Sequence, residues 1–198
     1  MAAAAALVVT PLLPLTAQVV AHFSVGARYP GTLVQDSITT PLEVRAANGA
    51  AFSLAFDLAP YHNWSAGLLF DYSRSTLRRH DAGGTVVDLG SLGALSVSVS
   101  MRRRMSTTLS AGFTAGWLRY LPQRETGLFR GGTGELFPLL GLQAGWEPFW
   151  ARSRGLGLDV RLDAHRFLTG TLEEHGFHAS RLSHRLTVAA RVNLSRLR

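Results

Sequence analysis

The chain contains neither cysteine nor lysine. Without cysteine it can build no disulfide scaffold and no thiolate metal site, a composition that suits a periplasm-facing protein. Without lysine, all 20 basic residues are arginine, and the formal net charge is +7. Charge is also scarce, at 17% of residues against the roughly 25% of soluble domains. After residue 20 no run of about 18 apolar residues occurs, so no helix spans a membrane in the mature chain. The arginines do not gather into the single stripe that a nucleic-acid face requires. The densest groups, Arg78-Arg79-His80 and Arg102-Arg103-Arg104, fall between apparent strands, where phosphate-bearing lipid headgroups would meet them.

Alternation of apolar and polar residues is abundant. In NWSAGLLFDYSRS, residues 63–75, Trp64, Ala66, Leu68, Phe70 and Tyr72 share one parity, with Asn63, Ser65, Gly67, Leu69, Asp71 and Ser73 on the other. The same period of two predicts strands over 19–29, 50–59, 63–75, 87–101, 107–120, 136–146, 155–166 and 181–194. Phe56 is expected opposite Leu68, and Phe52 opposite Tyr72, across a compact turn. The connections alternate in length. Those at 60–63, 102–106 and 147–153 are tight, whereas 30–49, 77–86, 121–135 and 167–180 read as longer loops rich in Gly, Pro, Thr and charge. An up-and-down chain then has its tight turns at one end and its long loops at the other, the asymmetry of outer-membrane barrels. Two local signals qualify the pattern. Pro138 predicts that its strand starts near Leu139 or bulges, and Asn48-Gly49 marks either an external hairpin or the start of the second strand.

A soluble eight-stranded barrel also alternates, with its apolar side inward. Here the polar parity is mostly Ser, Gly, Thr and Ala, which suits a cramped lumen better than a water-facing surface. Tyr29, Phe52, Tyr72 and Trp117 lie towards the long-loop ends of their strands, while Trp64, Trp146 and Trp150 lie near the tight turns. Two such groups predict aromatic girdles at opposite membrane interfaces. The expected fold is all-β: an eight-stranded antiparallel up-and-down transmembrane β-barrel. Phe56, Leu68, Val97 and Val188 should then point away from its axis.

In pattern, NWSAGLLFDYSRS and LGLDVRLDAHRF resemble strands of the small outer-membrane barrels of the OmpA/OmpX type, and the resemblance covers nearly the whole mature length. It implies residence in the bacterial outer membrane and contact with lipid and lipopolysaccharide. One departure is the end, NLSRLR, where such barrels carry a terminal aromatic. Residues 1–17, MAAAAALVVTPLLPLTA, read as the apolar core of a signal peptide with cleavage after Ala17, leaving 18–198 as the barrel domain.

Inward positions carry Arg28, Asp57, Asp71, Asp159, Arg161, Asp163, His165, Arg185 and Arg191. Because an isolated buried charge costs several kcal/mol, these predict an ion-pair network, with Asp163 opposite Arg185 and Arg28 nearby across the closure. A gate or proton path is the sharper reading of that network, and polar filling the plainer one. Glu173, Glu174, His175 and His178 could bind zinc or copper, though a solvated loop is the ordinary reading of such a cluster. Ser183 with His165, or Ser180 with His178 and Glu174, could serve an outer-membrane lipid-modifying enzyme. No nucleophile elbow surrounds either serine. The reading is therefore non-enzymatic, monomeric, and without cofactor or metal. Its surface loops, with Arg78, Arg79, Arg124 and Arg130, would serve envelope stabilisation, adhesion, partner binding or a very narrow conductance. A soluble lipocalin-like barrel with an apolar ligand is the main alternative.

Overall fold

The computed structural model describes residues 19–36, 42–58, 62–124, 128–129, 135–174 and 181–196. Ten strands occur among them: β1 (Val19–Pro30), β2 (Thr32–Asp36), β3 (Leu42–Ala46), β4 (Gly49–Leu58) and β5 (Trp64–Asp81), then β6 (Val86–Arg104), β7 (Leu109–Pro122), β8 (Leu136–Trp146), β9 (Leu156–Phe167) and β10 (Arg181–Asn193). Two short helices, α1 (Phe149–Arg152) and α2 (Gly170–Glu174), sit in connections. Eight strands form a closed antiparallel ring in the order β1-β4-β5-β6-β7-β8-β9-β10, and β10 returns to β1 from His22↔Asn193 to Pro30↔Arg185. Closure leaves no unpaired edge in the wall. The expected barrel is present.

The remaining two strands correct the reading of residues 30–49 as a loop. β2 continues β1 past Gly31, and β3 runs into β4 across Ala47-Asn48 while both pair with β5. The register passes from Ala46↔Leu77 to Ala50↔Arg74, which leaves one extra residue on the β3–β4 side, a β-bulge. Asn48-Gly49 thus marks the start of β4 and not the turn of an external hairpin. Gly49 is required there, since a Cβ would collide with the Arg74 carbonyl oxygen. The span 77–86 is corrected in the same way. β5 and β6 extend to 18 and 19 residues and meet in a short turn around Ala82–Thr85. Pro138 needs neither a late start nor a bulge. It lies inside β8, paired with Trp117 of β7, and the ladder to β9 begins one residue later at Leu139↔His165. Pro138 is laddered on its β7 side alone, the strand-end setting in which a missing N–H is tolerated.

The outer surface carries the apolar parity. Phe56, Leu68 and Val97 are exposed, Val188 is half-buried, and none of them meets in a sealed centre. A soluble barrel would bury this set. With a continuous apolar outer wall, this chain crosses a membrane by its strands.

Candidate functional site

The lumen has three levels. At mid-height five charged side chains meet. The Asp71 carboxylate takes Arg28 Nη2 at 2.5 Å and Arg161 Nη2 at 2.7 Å, and also accepts hydrogen bonds from Ser53 Oγ at 2.9 Å and Ser96 Oγ at 3.4 Å. Asp163 faces Arg185 in the register, and its Oδ2 lies 3.1 Å from Arg161 Nε and 3.3 Å from Arg185 Nη2. Arg28 also donates to Thr187 Oγ1 and Ser73 Oγ, each at 3.0 Å. Because β5 and β9 stand on opposite walls, Arg161 bridges the lumen. All five groups are buried.

Towards the tight turns lies a polar vestibule of about 220 Å³. Asp57 pairs with His22 at 3.4 Å and accepts from Ser100. Asp159 lies 3.0 Å from Arg191 and 3.7 Å from Arg102, while Arg191 also reaches Glu147. Of the inward charged residues read from the sequence, Asp57, Asp159 and Arg191 thus belong to the vestibule, and the other five to the mid-level cluster.

Towards the long connections the lumen is apolar, which the alternation did not reveal. Leu118, Phe129, Phe137 and Phe167 pack around Tyr120 with Leu33, Val44, Leu77 and Leu92, all buried. Tyr120 lies 5.7–5.8 Å, centroid to centroid, from Phe129, Phe137 and Phe167, and its hydroxyl is 3.0 Å from His165 Nε2. Thr169 ties the cap together, donating to the Leu128 carbonyl and accepting from the Leu172 N–H, and Glu135 accepts from the Gly170 N–H. The residues that make this plug sit where both parities become apolar: Trp117-Leu118, Leu136-Phe137 and Leu139-Leu140.

All seven aromatics are exposed, six on the strands of the outer wall and Trp150 on α1. Along β5 the outward residues run Trp64, Ala66, Leu68, Phe70, Tyr72 and then Arg74, Thr76 and Arg78, so the apolar stripe ends at Tyr72. From Trp64 to Tyr72 the strand rises about 26 Å, or about 20 Å along the axis at a tilt of about 40°. That height approaches the roughly 25 Å apolar band of outer-membrane barrels. Trp117 is followed outward by Arg119 in the same manner, and Arg103 at the opposite rim lies 5.6 Å from the Trp64 ring. Beyond Tyr72, Arg45 of β3 stands opposite Arg78 of β5, with Arg74 below on the same outward face and Arg45 Nε 3.2 Å from His80 Nε2. Asp88 of β6 is the register partner of Arg78 on its other side, and Glu43 and Asp81 flank the group on β3 and β5.

Ser183 and His165 are register partners, both sealed in the lumen beneath the plug. Ser180, His175, His178 and Arg130, together with residues 1–17, lie outside the described residues. Glu173 and Glu174 lie on α2 and are exposed. Among the described residues no group of three or more His, Asp or Glu side chains could hold a metal ion.

No family model matches the chain, and no curated protein matches it in sequence. Solved structures do match. Ail, the attachment invasion locus protein of Yersinia pestis, in complex with the heparin analogue sucrose octasulfate, superposes with a TM-score of 0.53 at 12% identity, covering 88% of this chain and 99% of Ail. Neisserial surface protein A superposes with a TM-score of 0.48 at 11% identity, covering 88% and 97%. At such identity the likeness concerns the fold. That fold is the small eight-stranded barrel of the OmpA/OmpX type.

Proposed function

We propose that this chain is a non-enzymatic outer-membrane barrel that holds a strand-built basic platform against anionic sugars at the cell surface. One observation carries the reading: β5 and β6 run on past the aromatic band, and β3 lies along β5 there, placing Arg45 opposite Arg78 with Arg74 close by. Like charges directly opposite on a sheet repel, so a bound polyanion relieves the platform. Arg124 lies on the same side of the membrane and adds to its field, whereas Arg79 is paired with Asp81. Phosphates of lipopolysaccharide and sulfates of surface glycans share the chemistry that such a platform recognises. Support for the class comes from Ail, which shares the fold and was crystallised with a sulfated sugar.

The test is binding of detergent-solubilised protein to immobilised heparin and, separately, to lipopolysaccharide. The Arg45→Ala/Arg74→Ala/Arg78→Ala variant is expected to bind the relevant polyanion at least about tenfold more weakly at 0.15 M salt. Wild-type binding should fade towards 1 M salt, where screening shortens to about 3 Å. Unchanged binding by the variant to both polyanions refutes the platform.

Two features argue against transport and catalysis. The plug fills the lumen with buried rings above the ion cluster, and Ser183 and His165 are buried beneath it among the described residues. Planar-bilayer recordings are accordingly expected to show no unitary conductance steps. Reproducible steps from the purified barrel would mean that the lumen opens.

A further inference from the structure

The mid-level cluster holds three guanidiniums, Arg28, Arg161 and Arg185, against two carboxylates, Asp71 and Asp163. The vestibule does not correct this locally. Asp57, Asp159 and Glu147 there face His22, Arg102 and Arg191, and open towards water. The surplus falls on Arg185, whose side chain is 2% exposed. Its Nη2 reaches Asp163, but among the described residues its Nε and Nη1 have no hydrogen-bond partner. A buried donor left unmade costs about 1–3 kcal/mol, and more when it is charged.

Arg185 also lines a cavity of about 20 Å³, together with Arg28, Ser73, Tyr120, Leu92 and Ala94. That is room for one particle of water size. A water molecule could donate to the hydroxyls that line this cavity, Ser73, Ser75 and Tyr120, but, being neutral, it would leave the third guanidinium without countercharge. Arg185 instead offers N–H donors and positive charge, on which a spherical anion places no acceptor demand. Tetrahedral oxyanions such as phosphate exceed the space.

We propose that this cavity binds one monatomic anion, chloride being the common one, held by Arg185 and Arg28 as the third negative charge of the lumen cluster. The inference is independent of the sugar-binding platform, which lies on the outer face. The site is structural: the ion completes the charge balance that closes the barrel around its ion cluster.

The experiment compares thermal unfolding of the intact barrel in detergent micelles, in sodium chloride and in sodium gluconate of equal ionic strength. A saturable rise of about 5–10 °C in chloride is expected, the size produced by a ligand at about a hundredfold excess over its Kd. Ser73→Asp, which supplies a carboxylate beside Arg28, should melt alike in the two salts. Should that variant fail to fold, crystals of the unmodified protein grown in bromide provide the second readout. An anomalous peak in hydrogen-bond contact with Arg185 Nε or Nη1 supports the site. Equal melting of the wild type in both salts, or bromide crystals without that peak, overturns it.

Discussion

Asp71→Ala is expected to destabilise the folded barrel by about 3–5 kcal/mol, the range for removing one partner of a buried ion pair. At about 2–4 °C per kcal/mol for a chain of this size, the unfolding midpoint should fall by about 10 °C. The magnitude follows from what the carboxylate does. It is buried at the centre of the lumen, holds Arg28 and Arg161 from different walls, and accepts from Ser53 and Ser96. After its removal Arg161 keeps Asp163, but Arg28 retains only the hydroxyls of Thr187 and Ser73. Asp71→Asn should be nearly as harmful, because the amide preserves the shape but leaves Arg28 without countercharge and Arg161 with Asp163 alone. By contrast, Asp71→Leu combined with Arg28→Met and Arg161→Met removes the charges together. Such apolar replacement is often neutral, so most of the stability should return. The measurement is the temperature at which the heat-modifiable gel shift occurs, followed in parallel by circular dichroism. An Asp71→Ala midpoint within about 2 °C of wild type, against the expected shift, would show that the cluster is held by the surrounding wall and not by this carboxylate.

What the sequence revealed of this cluster, and what it hid, has a physical boundary. Alternation was legible because lipid outside and a narrow lumen inside impose opposite demands on successive residues. The parity of Phe52, Leu54 and Phe56 against Ser53 and Asp57 could hardly be misplaced. Pairings between neighbouring strands, such as Asp163↔Arg185 and Phe56↔Leu68, follow from parity and turn length. The bond from Arg161 to Asp71 does not, because β9 and β5 face each other across the lumen and no ladder sets their relative height. Elsewhere the rule of two failed where both faces turn apolar. Leu118 and Phe137 look outward or inward equally well beside Trp117 and Leu136, so the plug was hidden in strands assumed to be polar within. The extension failed for the converse reason. TLVQD, LEVRA and LRRHD mix charge with β-branched residues and stand next to Gly and Pro. Above the bilayer their outward face meets water or polar headgroups, so the strands lose the apolar parity that marks the others.

Val99→Arg should abolish or severely impair assembly into the membrane. Val99 lies on β6 opposite both Leu68 and Ala115, midway between the Trp64 and Tyr72 levels, and is 59% exposed. An arginine facing lipid at mid-depth costs a transmembrane barrel about 2–4 kcal/mol. In a soluble barrel the same position would face water, and an exposed substitution of this kind stays within about 0.5 kcal/mol. The two environments therefore differ in the predicted effect by several-fold, and the sign of the argument does not depend on fine geometry. Depth supplies the control. Leu121 is also exposed but sits beyond Trp117 and Arg119, at the level where the outward stripe has already turned basic. Leu121→Arg should cost about 0–1 kcal/mol, as near-interface arginines do, and should assemble normally. Refolding yields of the two variants in vesicles, scored by the gel shift, should separate clearly, with Val99→Arg low and Leu121→Arg close to wild type. Equal yields for both would place the outer wall in water, and with it the aromatic rings that define the membrane band.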